Sequence, residues 1–221
     1  MAYFDNAATT YPKPETVYQS MDQFQRQTGG SFGRGNYEFS NSAKGMVDDT
    51  RKAIKQLLHC PAKQVVFEPS ATISLNIIIQ GIIQKGARNV YISPFEHNAV
   101  TRTLHHYKKR GQIKVEELAV DQKLNYDIQR IRFQFETTPP DLVIVSHASN
   151  VIGLVAPVEE IFSLAKEFHA ITLLDMAQTA GLVDLDIGKE IIDFAVFAGH
   201  KTLLGPTGIS GFVMKSGIEL E

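Results

Sequence analysis

Seven short apolar segments alternate along the chain with six segments of helical periodicity, and this alternation restricts the fold more than any other feature. Strands are predicted at 65–68, 90–93, 114–118, 142–146, 172–175, 194–198 and 209–214. Helices are predicted at 14–27, 41–58, 72–84, 99–110, 127–135 and 158–168. Because strands that are separated by helices require crossover connections, we expect an α/β fold, a three-layer and mostly parallel sheet with helices on both faces.

The length and the charge of the chain limit its class. Its 221 residues suffice for one large core, and a formal net charge of −2 with interspersed signs favours neither nucleic acid nor a membrane as a partner. The aliphatic stretch 77–83 is too short to span a bilayer, and residues 1–5 lack a secretory-signal pattern. Cys60 is the one cysteine, which excludes an internal disulfide. We expect a cytoplasmic protein with an N-terminal arm at 1–14 and a large domain at 15–221.

Polar residues lie at or just beyond the ends of several predicted strands. They are Ser70, His97, Asn150, Asp175 and Lys201. In sheets of this kind ligands bind at the carboxyl ends of the strands. The shared position predicts one binding site, formed by segments that are distant in sequence.

Lys201 and Asp175 have the most specific chemistry of this set. Lys201 follows the apolar run 194–198, and Asp175 ends the run 171–174. A lysine can hold an aldehyde cofactor through a Schiff base, and a carboxylate can keep a pyridine ring nitrogen protonated. The pair indicates an enzyme that uses pyridoxal phosphate (PLP). The alternatives are a surface lysine and a helix-capping aspartate, although a carboxylate among apolar residues requires a donor or a cation.

The segment 68–72 follows a predicted strand and opens a predicted helix. N–H groups at a helix start have no partner within the helix, and the positive end of the dipole lies behind them, so a phosphate binds well there. Ser70 and Thr72 add hydroxyl donors. Either residue can instead cap the helix with no ligand present. The phosphate interpretation gains weight from Lys201 and Asp175.

Four further polar residues fit the same hypothesis. His97 has a flat ring that can stack on a cofactor and move protons, and Asn150 has an amide that can donate to a ring substituent. Gln178 can reach the phenolic oxygen of the cofactor, and His200 can reach its phosphate. Taken singly, His97 and Asn150 also fit ordinary polar residues of turns.

The stretch 27–41 contains four glycines and few aliphatic residues, which predicts an irregular surface loop. Long loops in compact domains are usually functional, and we expect this loop to line an active site or a subunit interface. Ser40 and Asp127 are predicted helix N-caps, and Gly111 is predicted to end a helix. The spacing of the histidines and the cysteine predicts no metal site.

Seven segments, taken in order, resemble the class V aminotransferase family of PLP enzymes, and most closely its cysteine desulfurases. They are Tyr3-Phe4-Asp5-Asn6-Ala7-Ala8-Thr9-Thr10, Ser70-Ala71-Thr72, Glu96-His97-Asn98-Ala99, Ser149-Asn150-Val151-Ile152-Gly153, Asp175-Met176-Ala177-Gln178, Gly199-His200-Lys201 and Gly205-Pro206-Thr207-Gly208. The resemblance implies the large domain of a fold type I PLP enzyme. The implied activity is the removal of sulfur from L-cysteine to give alanine.

The resemblance also implies a role for individual residues. Lys201 is similar to the Schiff-base lysine, and His97 to a catalytic histidine that stacks on the ring. Asp175 is similar to the partner of the pyridine nitrogen, and Gln178 to the donor to the phenolic oxygen. The other implied cofactor positions are Ala71, Thr72, Asn150 and His200, with Thr72 and His200 at the phosphate.

The implied substrate contacts are Asn150, Asn6 and Ala7, of which the last two match a segment that borders the substrate pocket. The family further implies a homodimer with active sites at the subunit interface. An acceptor protein for the sulfur is a possible partner.

The sequence departs from the family pattern at two places. Ala198 stands where desulfurases commonly have a serine or threonine, two residues before the His-Lys pair. The chain also ends at 218–221, where family members continue into a smaller C-terminal domain with the sulfur-accepting cysteine and the arginine for the substrate carboxylate. Cys60 does not align with that cysteine. We therefore expect a C-terminally truncated desulfurase-like chain that is inactive by itself.

Three alternatives remain open. The chain can be another class V PLP enzyme, such as an aminotransferase, a selenocysteine lyase or an epimerase. It can be an inactive remnant that serves as a dimerisation or scaffold module. A nucleotide-binding domain has little support, because no Gly-x-Gly-x-x-Gly motif follows the first strand.

Overall fold

A seven-stranded sheet with six helices forms the fold of this computed structural model, which describes residues 2–220. The strands are β1 (Gln64–Glu68), β2 (Asn89–Ile92), β3 (Lys114–Glu117), β4 (Leu142–Ser146), β5 (Ile171–Asp175), β6 (Phe194–Ala198) and β7 (Ser210–Met214). The helices are α1 (Glu15–Gln27), α2 (Glu38–Leu57), α3 (Ala71–Gln84), α4 (Asn98–Lys109), α5 (Ile128–Thr137) and α6 (Val158–Glu167). All seven predicted strands and six predicted helices are confirmed, with shifts of a few residues at some ends.

The strand order across the sheet is β1-β7-β6-β5-β4-β2-β3. Strands β3, β2, β4, β5 and β6 are parallel, and β7 runs antiparallel to both of its neighbours, β6 and β1. The prediction of a mostly parallel sheet is confirmed. The pairing of β1 with β7 joins the first strand of the chain to the last.

Two hydrophobic layers cover the faces of the sheet, which confirms the predicted three-layer architecture. Helices α2, α5 and α6 pack on one face, and α3 and α4 pack on the other. Strand β4 serves both layers, because Val143 and Val145 point to the first and Leu142 and Ile144 to the second, and all four are fully buried. Burial on both faces explains the continuous apolar runs in the sequence.

Two of the three predicted helix boundaries are confirmed. The Asp127 carboxylate accepts a hydrogen bond from Arg130 N at 3.0 Å and caps α5. Gly111 follows the end of α4 with φ of +69°, a left-handed conformation that favours glycine.

Ser40 is not an N-cap, because α2 begins at Glu38 and includes it. Its buried hydroxyl lies 3.0–3.3 Å from the carbonyl oxygens of Ser31, Arg34 and Gly35. It therefore organises the preceding glycine-rich loop instead of the helix start.

The glycine-rich loop between α1 and α2 packs near the edge strand β1. The Arg51 guanidinium lies 5.7 Å from the centre of the Phe32 ring in the loop and 5.5 Å from that of Phe67 in β1. The residues that line the cleft described below include none from this loop. Its predicted role at an active site or interface stays a prediction. Within residues 2–220, no helix combines the length and the apolar composition that crossing a membrane requires.

Candidate active site

A cleft at the carboxyl ends of the parallel strands gathers the predicted cofactor-binding residues. All eight of them line it, namely Ala71, Thr72, His97, Asn150, Asp175, Gln178, His200 and Lys201. They come from the strand ends, turns and helix starts at the carboxyl ends of β1, β2, β4, β5 and β6. The predicted common position of these residues is therefore observed, while their roles stay predictions.

Asp175 is the buried anion of the cleft. It ends β5 with 6% of its surface exposed, and its Oδ1 accepts a hydrogen bond from Ala177 N at 2.9 Å. Burial raises the pKa of this carboxyl, whereas the Ala177 hydrogen bond, the positive charge of Lys201 and the nearby His97 ring oppose the rise. The capping interpretation thus describes one real contact, but Lys201 and His97 also act on this carboxylate.

Lys201 lies in the turn that follows β6. Burial lowers the pKa of its amine, and the negative charge of Asp175 partly opposes this effect. A lowered pKa increases the share of neutral, nucleophilic amine at neutral pH. Gly199 allows the turn, because a Cβ at that position would lie 2.5 Å from the Ile209 carbonyl oxygen. Lys201 is therefore a half-buried amine that lines the cleft together with Asp175, and not an ordinary surface lysine.

The start of α3 forms the anion-binding part of the cleft. Ser70 caps this helix, since its hydroxyl accepts a hydrogen bond from Ile73 N at 3.2 Å. The N–H groups of Ala71 and Thr72 precede Ser74 N, which donates to the Ser70 carbonyl oxygen as the first backbone hydrogen bond of the helix, and they have no partner within the helix. Both residues line the cleft. The capping and phosphate interpretations are compatible, because the cap leaves these two donors available.

His97 is held in one tautomer by its position at the start of α4. Its Nδ1 accepts a hydrogen bond from Ala99 N at 3.1 Å, so His97 itself is the N-cap of the helix. An accepting Nδ1 carries no proton, and the proton of the neutral ring is therefore on Nε2. Neither the capping contact nor the tautomer was predicted from the sequence.

Gln178 has a partner that the sequence did not indicate. Its Nε2 donates a hydrogen bond to the Ala7 carbonyl oxygen at 2.9 Å, which brings the N-terminal segment to the rim of the cleft. One N–H of the amide remains for a ligand. Asn6 is further out, where its Oδ1 accepts a hydrogen bond from Tyr11 N at 3.3 Å. Asn6 and Ala7 do not line the cleft in the described structure, and their substrate role stays a prediction.

The N-terminal arm also binds the backbone of the lysine turn. Thr10 N donates to His200 O at 3.2 Å, and Thr10 Oγ1 donates to Lys201 O at 2.9 Å. Thr9 Oγ1 lies 3.0 Å from His200 Nδ1. Lys13 Nζ donates to Thr10 O at 3.0 Å and to His200 O at 3.1 Å. Sequence reasoning missed Lys13, because nothing in a short run of polar residues reveals a partner almost two hundred residues away.

Burial and charge lower the pKa of His200, with burial first and the positive charges of Lys201 and Lys13 next. A neutral His200 offers a phosphate one N–H donor and no net charge. The backbone donors of α3 therefore matter more for anion binding in this cleft.

These features fit a small ligand that carries an aldehyde, a basic ring nitrogen and a phosphate. The amine of Lys201, the buried carboxylate of Asp175 and the start of α3 supply one partner for each group. Among residues 2–220, no group of three or more histidine, cysteine or acidic side chains is arranged to hold a metal ion. Cys60 is fully buried, and burial raises the pKa of its thiol.

Known proteins match both the sequence and the fold. The probable cysteine desulfurase of Pyrococcus abyssi (strain GE5 / Orsay) is 30% identical over 210 residues, covering 94% of this chain and 51% of that protein. The apo cysteine desulfurase from Thermococcus onnurineus NA1 has a TM-score of 0.89 at 29% identity, over 97% of this chain and 53% of that one. A structure of SspA in complex with cysteine has a TM-score of 0.90 at 26% identity, over 100% and 64% of the two chains.

These matches cover almost all of this chain but only part of each relative, so they bear on its family more than on a complete activity. The chain spans about half the length of the curated relatives it matches. The sequence model of the aminotransferase class-V family, by contrast, matches residues 2–219. With the match over almost its whole length and with the sheet of a fold type I enzyme, this chain belongs to the aminotransferase class-V family.

Proposed function

We propose that this chain is the PLP-binding part of a cysteine desulfurase, which converts L-cysteine to alanine and delivers sulfur to an acceptor. The observation that carries the proposal is the Lys201–Asp175 pair. A half-buried amine and a buried carboxylate line one cleft. Burial disfavours the charge on each group, and the opposite charge of the other group partly offsets this shift of its pKa. The names of the similar proteins support the desulfurase reaction over other reactions of the family.

PLP, when bound, supplies an aldehyde for the amine of an amino acid and a ring that accepts electrons. In the proposal Lys201 holds it and Asp175 faces its ring nitrogen. The N–H groups of Ala71 and Thr72, together with His200, hold its phosphate. Gln178 and Asn150 lie on the rim as amide donors.

In this proposal Lys201 moves the proton and His97 provides a fixed hydrogen-bond donor. Because burial lowers its pKa, Lys201 is a stronger candidate base for the Cα proton of the substrate than an exposed lysine. His97 presents Nε2–H, since Nδ1 is occupied by Ala99 N. The neutral ring thus offers a hydrogen bond from one defined atom.

Sulfur acceptance requires a thiol outside the cleft. Cys60 is 0% exposed and its thiol has a raised pKa, so it is a poor nucleophile. The proposal therefore assigns this step to a cysteine that is not among residues 1–221, on the same protein or on an acceptor protein. A homodimer, a cytoplasmic location and substrate contacts through Asn150, Asn6 and Ala7 belong to the same proposal.

Cofactor trapping tests the core of the proposal. The chain is mixed with PLP and reduced with borohydride, and peptides are then mapped by mass spectrometry. We expect a phosphopyridoxyl group on Lys201 and none on that peptide in Lys201→Ala. No adduct at Lys201 with saturating PLP would contradict the cofactor assignment.

Product analysis tests the reaction. The protein of which this chain is part is incubated with L-cysteine and a thiol reductant, and we expect alanine and sulfide in equal amounts. Pyruvate or a racemised amino acid in place of alanine would indicate another reaction of the same family.

A further inference from the structure

A second carboxyl group, Glu96, lies beside the cleft and has no assigned role. It belongs to the turn between β2 and α4 and directly precedes His97. Its Oε1 lies 2.5 Å from Ser146 N, and its Oε2 lies 2.8 Å from Ser146 Oγ. Both carboxyl oxygens therefore bind the same residue, at the end of β4.

This contact continues the sheet beyond the end of β2. The ladder between β2 and β4 ends with the pair Ile92 and Ile144. The N–H of Ser146, two residues further along β4, is satisfied by the Glu96 side chain. The contact fixes the residue before His97 to a strand, whereas the rest of the turn is irregular. Glu96 therefore fixes the backbone position from which the His97 side chain extends.

Ser146 also connects Glu96 to the buried anion of the site, because Ser146 and Asp175 are register partners on β4 and β5. Two carboxylates in such a place repel each other, so one of them retains a proton. Lys201 and His97 stabilise the charge on Asp175. The nearby Tyr126 hydroxyl, 2.7 Å from Ser93 Oγ, has a pKa raised to about 12 and stays neutral.

The proton therefore belongs to Glu96. Burial raises the pKa of this carboxyl to about 8, the negative charge of Asp175 adds to the rise, and the two Ser146 contacts oppose it. A protonated Glu96 donates to Ser146 Oγ through one oxygen and accepts from Ser146 N through the other. Both contacts survive protonation, and Asp175 keeps its charge.

We propose that Glu96 is a positioning residue of this site that works as a neutral carboxylic acid, tying the His97 turn to β4 while Asp175 alone carries the negative charge toward the cofactor. The inference rests on the proposed function. It assigns to Glu96 a task that glutamine can also perform, since the amide of glutamine places a donor group and an acceptor oxygen at the same two positions.

Three substitutions test the positioning role through the affinity for PLP, measured by absorbance near pH 7. Glu96→Gln is expected to bind PLP within about threefold of the wild type, because the contacts with Ser146 persist. Glu96→Ala leaves Ser146 N without a partner and is expected to bind about tenfold more weakly. Ser146→Ala removes one contact and should fall between them.

The proton itself is tested by the stability of the protein without PLP. A carboxyl whose folded-state pKa is raised stabilises the fold fully below its ordinary pKa, and this stability is lost as the pH rises through the folded-state value. With an ordinary pKa of 4.5 and a folded-state value of about 8, the unfolding constant of the wild type should rise relative to Glu96→Gln. The expected rise is on the order of 30-fold between about pH 6.5 and about pH 9.

Each outcome has one meaning. If Glu96→Gln binds PLP as weakly as Glu96→Ala, the group acts as a charged carboxylate and the inference is wrong. Equal binding by all variants would also overturn it, as would parallel pH profiles of the wild type and Glu96→Gln. Failure of the wild type to form the Lys201 adduct at any pH would instead contradict the proposed function, and the stability profile would still locate the proton.

Discussion

Replacing Asp175 by asparagine is expected to raise the folding stability of the protein without PLP and to lower its affinity for PLP. Asp175 is 6% exposed, and burial raises its pKa above the ordinary value. The charged form is therefore less favourable in the folded chain than in the unfolded chain at neutral pH. Asparagine removes this charge and retains an oxygen that can accept the Ala177 N–H.

The two effects have different sizes. Removing an unfavourable buried charge at a functional site commonly stabilises a protein by about 0.5–2 kcal/mol. A hydrogen bond between the carboxylate and a protonated ring nitrogen contributes about 1.5–3 kcal/mol, which corresponds to about a 10- to 150-fold weaker affinity for PLP in Asp175→Asn. The unfolding free energy without PLP should thus rise, while the dissociation constant for PLP also rises.

Asp193 provides a matched control for this experiment. It is 5% exposed and directly precedes the adjacent strand β6, at the opposite end from the cleft, where it accepts hydrogen bonds from Thr172 N and Lys166. Asp193→Asn should lose about 1–3 kcal/mol of stability, because it weakens a buried network, and its affinity for PLP should be unchanged.

Denaturant unfolding without PLP and an absorbance titration with PLP measure the two quantities separately. The reasoning fails if Asp175→Asn binds PLP as tightly as the wild type. It also fails if this variant loses as much stability as Asp193→Asn, since Asp175 would then be a structural carboxylate.

Two further predictions concern the anion-binding helix and the arm. Ser70→Ala should lose about 1 kcal/mol of stability and several-fold affinity for PLP, whereas Asp127→Ala, which removes the cap of α5, should lose similar stability in urea unfolding and no affinity. Lys13→Met should speed amide hydrogen exchange at 200–201 and raise the pKa of His200 measured by NMR, because Lys13 contacts His200 O and its charge lowers that pKa. The control substitution Lys123→Met, at an exposed lysine, should change neither quantity. An unchanged exchange rate in Lys13→Met would show that the arm does not depend on this contact.

The elements of the fold could be predicted because their signals are local. Strand β4 reads as an apolar run since both of its faces are buried, and Asp127 caps the helix that follows it directly. The cleft could be predicted in outline for a related reason. Parallel strands bring their carboxyl ends to one edge, so Asp175 and Lys201 had to meet if the strands were placed correctly.

Contacts between distant segments could not be predicted in the same way. Ser40 was predicted as a cap because it stands directly before the predicted helix at 41–58. Its three carbonyl partners in the loop leave no pattern in the sequence. The Gln178 contact with Ala7 and the Lys13 contact with His200 depend on where the arm crosses the sheet edge. Glu96 was visible beside His97, but its role depends on the register of Ser146 with Asp175.

The pairing of β1 with β7 has a consequence for the order in which the chain can fold during its synthesis. Strand β1 pairs with residues 210–214 and the arm binds residues 178, 200 and 201, so both leave the ribosome long before these partners exist. Until then the edge of β1 has no neighbour, and contacts of such long sequence separation form slowly. The lysine turn is therefore locked only after β7 has paired with β1 and β6 and the arm has bound the backbone at 200–201.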